Sequence, residues 1–213
     1  MKKFLAAILG VTLLFAAGCS NPETDAVKKT AENFLKAQQE GDLDQSAKYT
    51  TDSVSDDMGT VKDVKEAMSV YEATGVSKDS LNDFVNDMLK AYGMVWEKYE
   101  IGNVKVDGKK ATVMAKVTGI SMNTWKKTMT VNLGAEVAKQ WAQDHVSEIQ
   151  DYLKDHTQEE AAAWIMDQVL PEAGDEALNR LKKAERETSD YRLSLEKNGD
   201  DWKISNLEVK TEK

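Results

Sequence analysis

Two histidines are all the imidazole in this chain of 213 residues. His145 and Glu148 stand one helical turn apart and His156 follows eleven residues later, which sketches a three-ligand zinc constellation. A closed zinc site needs four ligands and a catalytic one three around an open position. With so few candidates the expectation is no metal, and both imidazoles are read as lying on solvated helix faces or ends. Adjacent carboxylates occur at Asp56-Asp57, Glu159-Glu160 and Asp200-Asp201, but 37 Asp and Glu make adjacency ordinary, and none has the spacing of a calcium loop. Tyr92, Tyr99 and Tyr191 are the candidates for moving a proton in a pocket. A tyrosine at core spacing more often packs its ring and sends its hydroxyl to the surface. There is no nucleophile elbow and no glycine loop to cradle phosphate, so no catalytic residue and no cofactor is expected.

Large rings are the remaining candidates for a site. Trp96, Trp125 and Trp202 are read on strands, and Trp141 and Trp164 on helices. Most of this aromatic mass should fill the space between sheet and helices. Where a concave sheet is incompletely covered, an apolar pocket remains, and the candidate lining is Trp96, Tyr99, Trp125, Trp141, Trp164 and Tyr191.

The chemistry best supported by spacing lies at Cys19. Lys2 and Lys3 make a positive start, an apolar run fills residues 4–17, and Ala16-Ala17-Gly18-Cys19 closes it with small residues. That pattern is a secretory leader, too short for the roughly 20 apolar residues that span a bilayer. The tract before Cys19 resembles a lipobox, although leucine is usual where Ala16 stands. The resemblance implies cleavage before Cys19 and alkylation of its thiol with diacylglycerol, giving a leader at 1–18 and a lipidated tether at 19–25. Buried acyl chains contribute about 0.8 kcal/mol per CH₂, and two chains hold a protein where one does so marginally.

Cys19 is the only cysteine, so the lipidated product would have neither disulfide nor thiolate, and its stability must come from a core. Loss of Lys2 and Lys3 deepens the net charge of -9 by two. Such an acidic surface argues against nucleic acid and against lying flat on anionic lipid, both of which need clustered Lys and Arg.

The elements that carry these residues follow from period and punctuation. Asn21-Pro22 reads as an N-cap with proline at the first helical position, Val27, Ala31, Phe34, Leu35 and Gln38 recur at helical spacing, and Gly41 stands at C′. Asp42 and Gln45 suggest a capping box for a short second helix. Residues 51–59 read as a loop, followed by helices over Val61 to Tyr71 and, capped by Ser77, over Leu81 to Tyr92. Period two then takes over. Val95, Tyr99 and Ile101, a bulge at Gly102-Asn103, Val104 and Val106, a turn at Asp107-Gly108 and a return from Ala111 to Val117 make a hairpin. Trp125, Lys127, Met129 and Val131 read as a third strand. Helical signals return over 134–187, with a capping box at Thr157 and Glu160 and an interruption at Pro171 and Gly174. A second hairpin from Tyr191 to Val209 turns at Asn198-Gly199, with a bulge at Asn206.

The expected fold class is therefore α+β: a curved antiparallel sheet packed with N-terminal helices, plus an inserted helical segment, in a single domain over 26–213. The opening helix with Glu40-Gly41-Asp42-Leu43, and the closing Tyr191 to Leu195, Gly199 and Trp202-Lys203-Ile204, resemble the cystatin-like, nuclear transport factor two-like fold carried by many bacterial lipoproteins. Helices at 61–92 and 134–187 depart from that compact pattern. The expected function is a non-enzymatic recognition or accessory domain, lipid-anchored on the extracytoplasmic face of the cell membrane. Its candidate partners are the membrane itself, an envelope protein or a small ligand. The alternatives are a small-molecule or peptide carrier with a pocket under the insertion and, third, a pocket enzyme of the same fold.

Overall fold

The structure, a computed structural model, describes residues 21–58, 61–129 and 131–210. Cys19 and the expected leader at 1–18 lie outside them. Helix α1 (Pro22–Glu40) opens where Asn21 accepts the Glu23 N–H and Pro22 takes the first position, and it closes at Gly41 with φ +69°. It buries Val27, Ala31, Phe34, Leu35 and Gln38, the stripe the sequence spaces for it. Pro22 to Asp25, expected in the tether, form the first turn of this helix. Gly41 has a second reason to be glycine: a Cβ there would overlap the Leu89 carbonyl oxygen. Asp42 caps α2 (Leu43–Ala47) by accepting the Gln45 N–H.

Four strands, β1 (Lys98–Asp107), β2 (Lys110–Gly119), β3 (Glu187–Asn198) and β4 (Asp201–Lys210), form one curved antiparallel sheet in the order β1-β2-β3-β4. Both hairpins turn on a glycine at positive φ, Gly108 at +59° and Gly199 at +63°, as two-residue turns require. The register slips between Ile101 and Val104, where the Gly102-Asn103 bulge is expected. The slip in β4 leaves Ser205 as the extra residue, one position before Asn206. Odd-numbered side chains of β2 and β3 face α1 and are buried from Ala111 to Val117 and from Tyr191 to Leu195. The opposite face carries rows of alternating sign, Glu100-Lys116-Asp190 and Asp107-Lys110-Glu196-Lys203. Opposite charges in facing positions keep that open face hydrated and correctly paired.

Both hairpin turns lie at one end of the sheet and every helical connection at the other. The N–H of Lys197 donates to the Lys109 carbonyl and so ties the two turns together (2.9 Å). The remaining helices are α3 (Asp52–Met58), α4 (Val61–Glu72), α5 (Lys78–Gly93), α6 (Met122–Thr128), α7 (Val131–Asp144), α8 (Val146–Tyr152) and α9 (Gln158–Lys183), with a single 3-10 turn at Met94–Trp96 before β1. Residues 52–58 are thus helical where a loop is expected, begun by Val54 and Ser55 N–H bonds to the Thr51 carbonyl. Trp96, expected on a strand, lies in the 3-10 turn.

Where a third strand is expected at 125–131, residues 122–128 form helix α6 and Val131 opens α7. Ser121 caps α6 by accepting the Thr124 N–H (3.1 Å), and Met122, Trp125 and Met129 pack together against the main core. Their spacing of three and four is a helical stripe, which the alternation at 125, 127 and 129 obscures. The helical segment therefore opens at Met122 rather than at residue 134. Pro171 and Gly174 do not interrupt α9, which runs unbroken through both. Leu178 and Leu181 near its end join the core beneath Val95, Trp96 and Tyr191, while Leu170 joins Val76 and Leu81 in a second, smaller cluster.

Candidate functional site

A cavity of about 270 Å³ opens at the end of the sheet where the helices connect. Val117 and Gly119 of β2 and Ser189 and Tyr191 of β3 form its base, Val95 and Ile120 its wall, and Ser121, Asn123 and Glu187 its polar rim. Gly119 allows this geometry, because a Cβ there would overlap the carbonyl oxygens of Met94 and Val95. The Ile120 N–H donates to the Met94 carbonyl and locks the 3-10 turn against the strand end (3.0 Å). The Ser121 hydroxyl is engaged with Thr124 (3.0 Å) and belongs to the α6 cap.

Aromatic packing stiffens the floor. Tyr191 lies 5.1 Å from Trp96 between ring centroids, and Phe34 meets Trp96 edge-on at 6.4 Å. Tyr92 meets Trp125 edge-on at 5.9 Å. Burial pushes the Tyr92 phenol up to about 12, opposed in part by the Trp96 indole N–H directed at it. Burial also raises the Tyr191 phenol, and the Glu187 carboxylate adds to the rise. Burial thus favours the neutral form of both phenols. The indole nitrogens of Trp96 and Trp125 are buried without a protein acceptor in full hydrogen-bond geometry. With Val95, Val117 and Ile120 as apolar lining, the Tyr191 phenol and one carboxylate, the cavity has the chemistry to hold a small ligand bearing a donor group for Glu187 and an apolar body.

Of the six aromatic candidates, Tyr191 lines this cavity and Trp96 backs it. Tyr99 lies under α1 and donates to the Glu32 carbonyl (3.4 Å), and Trp125 faces Tyr92 from α6. Trp141 and Trp164 belong to a separate stack: His145 lies on Trp141 (4.3 Å), Trp141 meets Trp164 edge-on (5.4 Å), Trp164 lies on Tyr152 (4.6 Å), and Tyr152 on His156 (3.9 Å). This chain of five rings binds α7, α8 and the start of α9 together. Ser121, Asn123, Glu187 and Ser189 carry no signal of function in the sequence; only the capping pattern of Ser121 with Thr124 marks the place.

The two histidines end the ring stack. Each Nδ1 donates to the carbonyl four residues earlier, His145 to Trp141 (2.8 Å) and His156 to Tyr152 (3.0 Å). Among the described residues no group of three or more His, Cys, Asp or Glu is arranged to hold a metal ion. Glu160 is a capping-box residue whose carboxylate accepts from Thr157, which holds it below its ordinary pKa. A wider, open groove between α7 and α9 is lined by Glu136, Glu172, Asp175 and Glu176, with Arg180 paired to Glu136 and Glu176.

Among the described residues no helix is long and apolar enough to cross a membrane. No protein-family model and no curated protein matches the chain. Among solved structures, a candidate lipoprotein (ycdA) from Bacillus subtilis is similar at 17% sequence identity and a TM-score of 0.39. The similarity covers 85% of this chain and 52% of that one, so the chain spans about half the length of its neighbour.

Proposed function

We propose that the protein is a lipoprotein anchored through Cys19 to the extracytoplasmic face of the cell membrane, with a folded domain that acts by recognition rather than catalysis. The observation that carries this reading is the position of Cys19. It follows a positive, apolar and small-residue leader, and α1 begins three residues later at Pro22. A long N-terminal helix laid on a four-stranded meander supports the cystatin-like resemblance. The candidate recognition site is the cavity around Tyr191 and Glu187, and an envelope protein or a small ligand is its partner. Metabolic labelling with radioactive palmitate should mark the purified protein, and Cys19→Ala should release it into the medium or leave its leader uncleaved. Absence of label, or normal maturation and retention of the variant, would remove the anchor. Protease added to intact cells should degrade the domain; full protection in cells whose outer barrier has been opened would reverse the assigned face.

The second reading is a carrier in which α6 closes over a small ligand, and it calls for a pocket larger than about 300 Å³. The cavity beside Tyr191, at about 270 Å³, falls just short of that size. A carrier would show a ligand-dependent rise in melting temperature, lost in Tyr191→Ala. The enzyme reading ranks third. A hydrolase or isomerase activity abolished by a single substitution at Tyr191 or Glu187 would raise it to first.

A further inference from the structure

We infer that the end of the sheet bearing the two hairpin turns rests against the membrane surface, and that the cavity and the helices α5 to α9 are held out at the opposite pole. This rests on the proposed acylation of Cys19 and adds to it a fixed orientation.

The argument begins with the length of chain available. Asn21 is fixed as the α1 cap, so Ser20 alone separates it from Cys19, a reach of two Cα steps or at most about 7 Å of extended backbone. The start of α1 is in turn built into the sheet. Glu23 pairs with Lys197 (2.5 Å) and accepts the Trp202 indole N–H (2.8 Å). Lys197 and Trp202 face each other one step from the Gly199 turn. At the other end of α1, Gln39 donates to the Glu97 carbonyl, just before β1 (2.6 Å). Helix α1 is therefore a strut strapped to the sheet at both ends, and a short leash on its first turn orients the whole domain.

Topology then assigns the poles. Gly108-Lys109 and Gly199-Asp200 lie beside the start of α1, while β1, β2 and β3 all meet their helical connections at the far end. Ten residues of strand put these poles about 30 Å apart. Cations and anions mix at the near pole, with Lys109, Lys110 and Lys203 beside Asp107, Asp200 and Asp201. The leash, not charge attraction, brings this surface to the lipid.

With Cys19 acylated, an introduced cysteine is the only free thiol. Full-length Lys109→Cys, Asp200→Cys and Glu185→Cys would each be purified from membranes, labelled with a fluorescent maleimide and reconstituted in phosphatidylglycerol–phosphatidylethanolamine vesicles containing a headgroup nitroxide lipid. Quenching at 109 and 200 should be at least about threefold that at 185, given a pole separation of about 30 Å, and should persist at high salt. The two near-pole variants guard against one of them misfolding. Equal quenching at the poles, or stronger quenching at 185, in protein that carries the palmitate label overturns the orientation alone. Protein without palmitate, whose own Cys19 takes the maleimide, overturns the anchor and the orientation together.

Discussion

Ser80, in the first turn of α5, donates its hydroxyl to the Asp167 carbonyl of α9 at 3.0 Å. That oxygen would ordinarily accept the N–H of residue 171, and Pro171 has none. A residue 87 positions earlier in the chain thus supplies the hydrogen bond that the proline withholds. The Asp167 carboxylate accepts the Ser77 N–H (2.7 Å), and Gly174 brings α9 close against Asp87, whose side chain would lie 3.0 Å from an added Cβ. The proline marks the docking place of α5.

This relationship predicts coupling between two distant positions. Ser80→Ala should cost about 1–2 kcal/mol by leaving the Asp167 carbonyl without a partner. In a Pro171→Ala background residue 171 restores the helical bond, so Ser80→Ala should cost less by at least about 0.5 kcal/mol. A urea-denaturation cycle measures this, and strict additivity would refute it.

The grip of Glu23 on Lys197 and Trp202 predicts an acid dependence. Those two donors, Lys197 first, lower the Glu23 carboxyl below its ordinary 4.5. A carboxylate depressed in the folded state contributes stability that is present above its unfolded value and lost as pH falls through the folded one. Thermal melts between pH 7 and 3 should show Glu23→Gln less stable at neutral pH, with the difference shrinking below about pH 4.5. A difference independent of pH would contradict the assignment.

Burial of Tyr92 predicts the opposite limb. Its phenol rises from 10.0 to about 12, so the folded state favours the neutral ring, with stability intact below pH 10 and lost as pH rises toward 12. The effect is on the order of 2–3 kcal/mol. Tyr92→Phe should flatten the alkaline fall in urea midpoint, and an unchanged fall would assign it elsewhere.

Two glycines should respond in opposite senses to alanine. Gly119→Ala forces a methyl group onto the Met94 and Val95 carbonyls and should cost about 2–3 kcal/mol, distorting the cavity mouth as well. Gly134 lies within α7 with no atom near its absent Cβ, so Gly134→Ala should stabilise by about 0.5–1 kcal/mol. Chemical denaturation of both variants checks the contrast.

Features settled within a few neighbouring residues were readable before any coordinates. The Asn21-Pro22 cap, the turn at Gly41, both glycine hairpins, the Gly102-Asn103 bulge and the buried stripe from Val27 to Gln38 depend on local backbone preference and on period, which a linear chain displays openly. The expected leader before Cys19 is likewise read from local pattern alone. Three-dimensional packing was needed wherever a distant partner settled the outcome. Trp125 is helical because Met122, Trp125 and Met129 share one core-facing stripe, and α9 passes through Pro171 because Ser80 meets the orphaned carbonyl. The cavity exists because Gly119 lets the end of β2 press against the 3-10 turn. In each case the free energy comes from groups far apart in the chain, and no short-range pattern records which of them will meet.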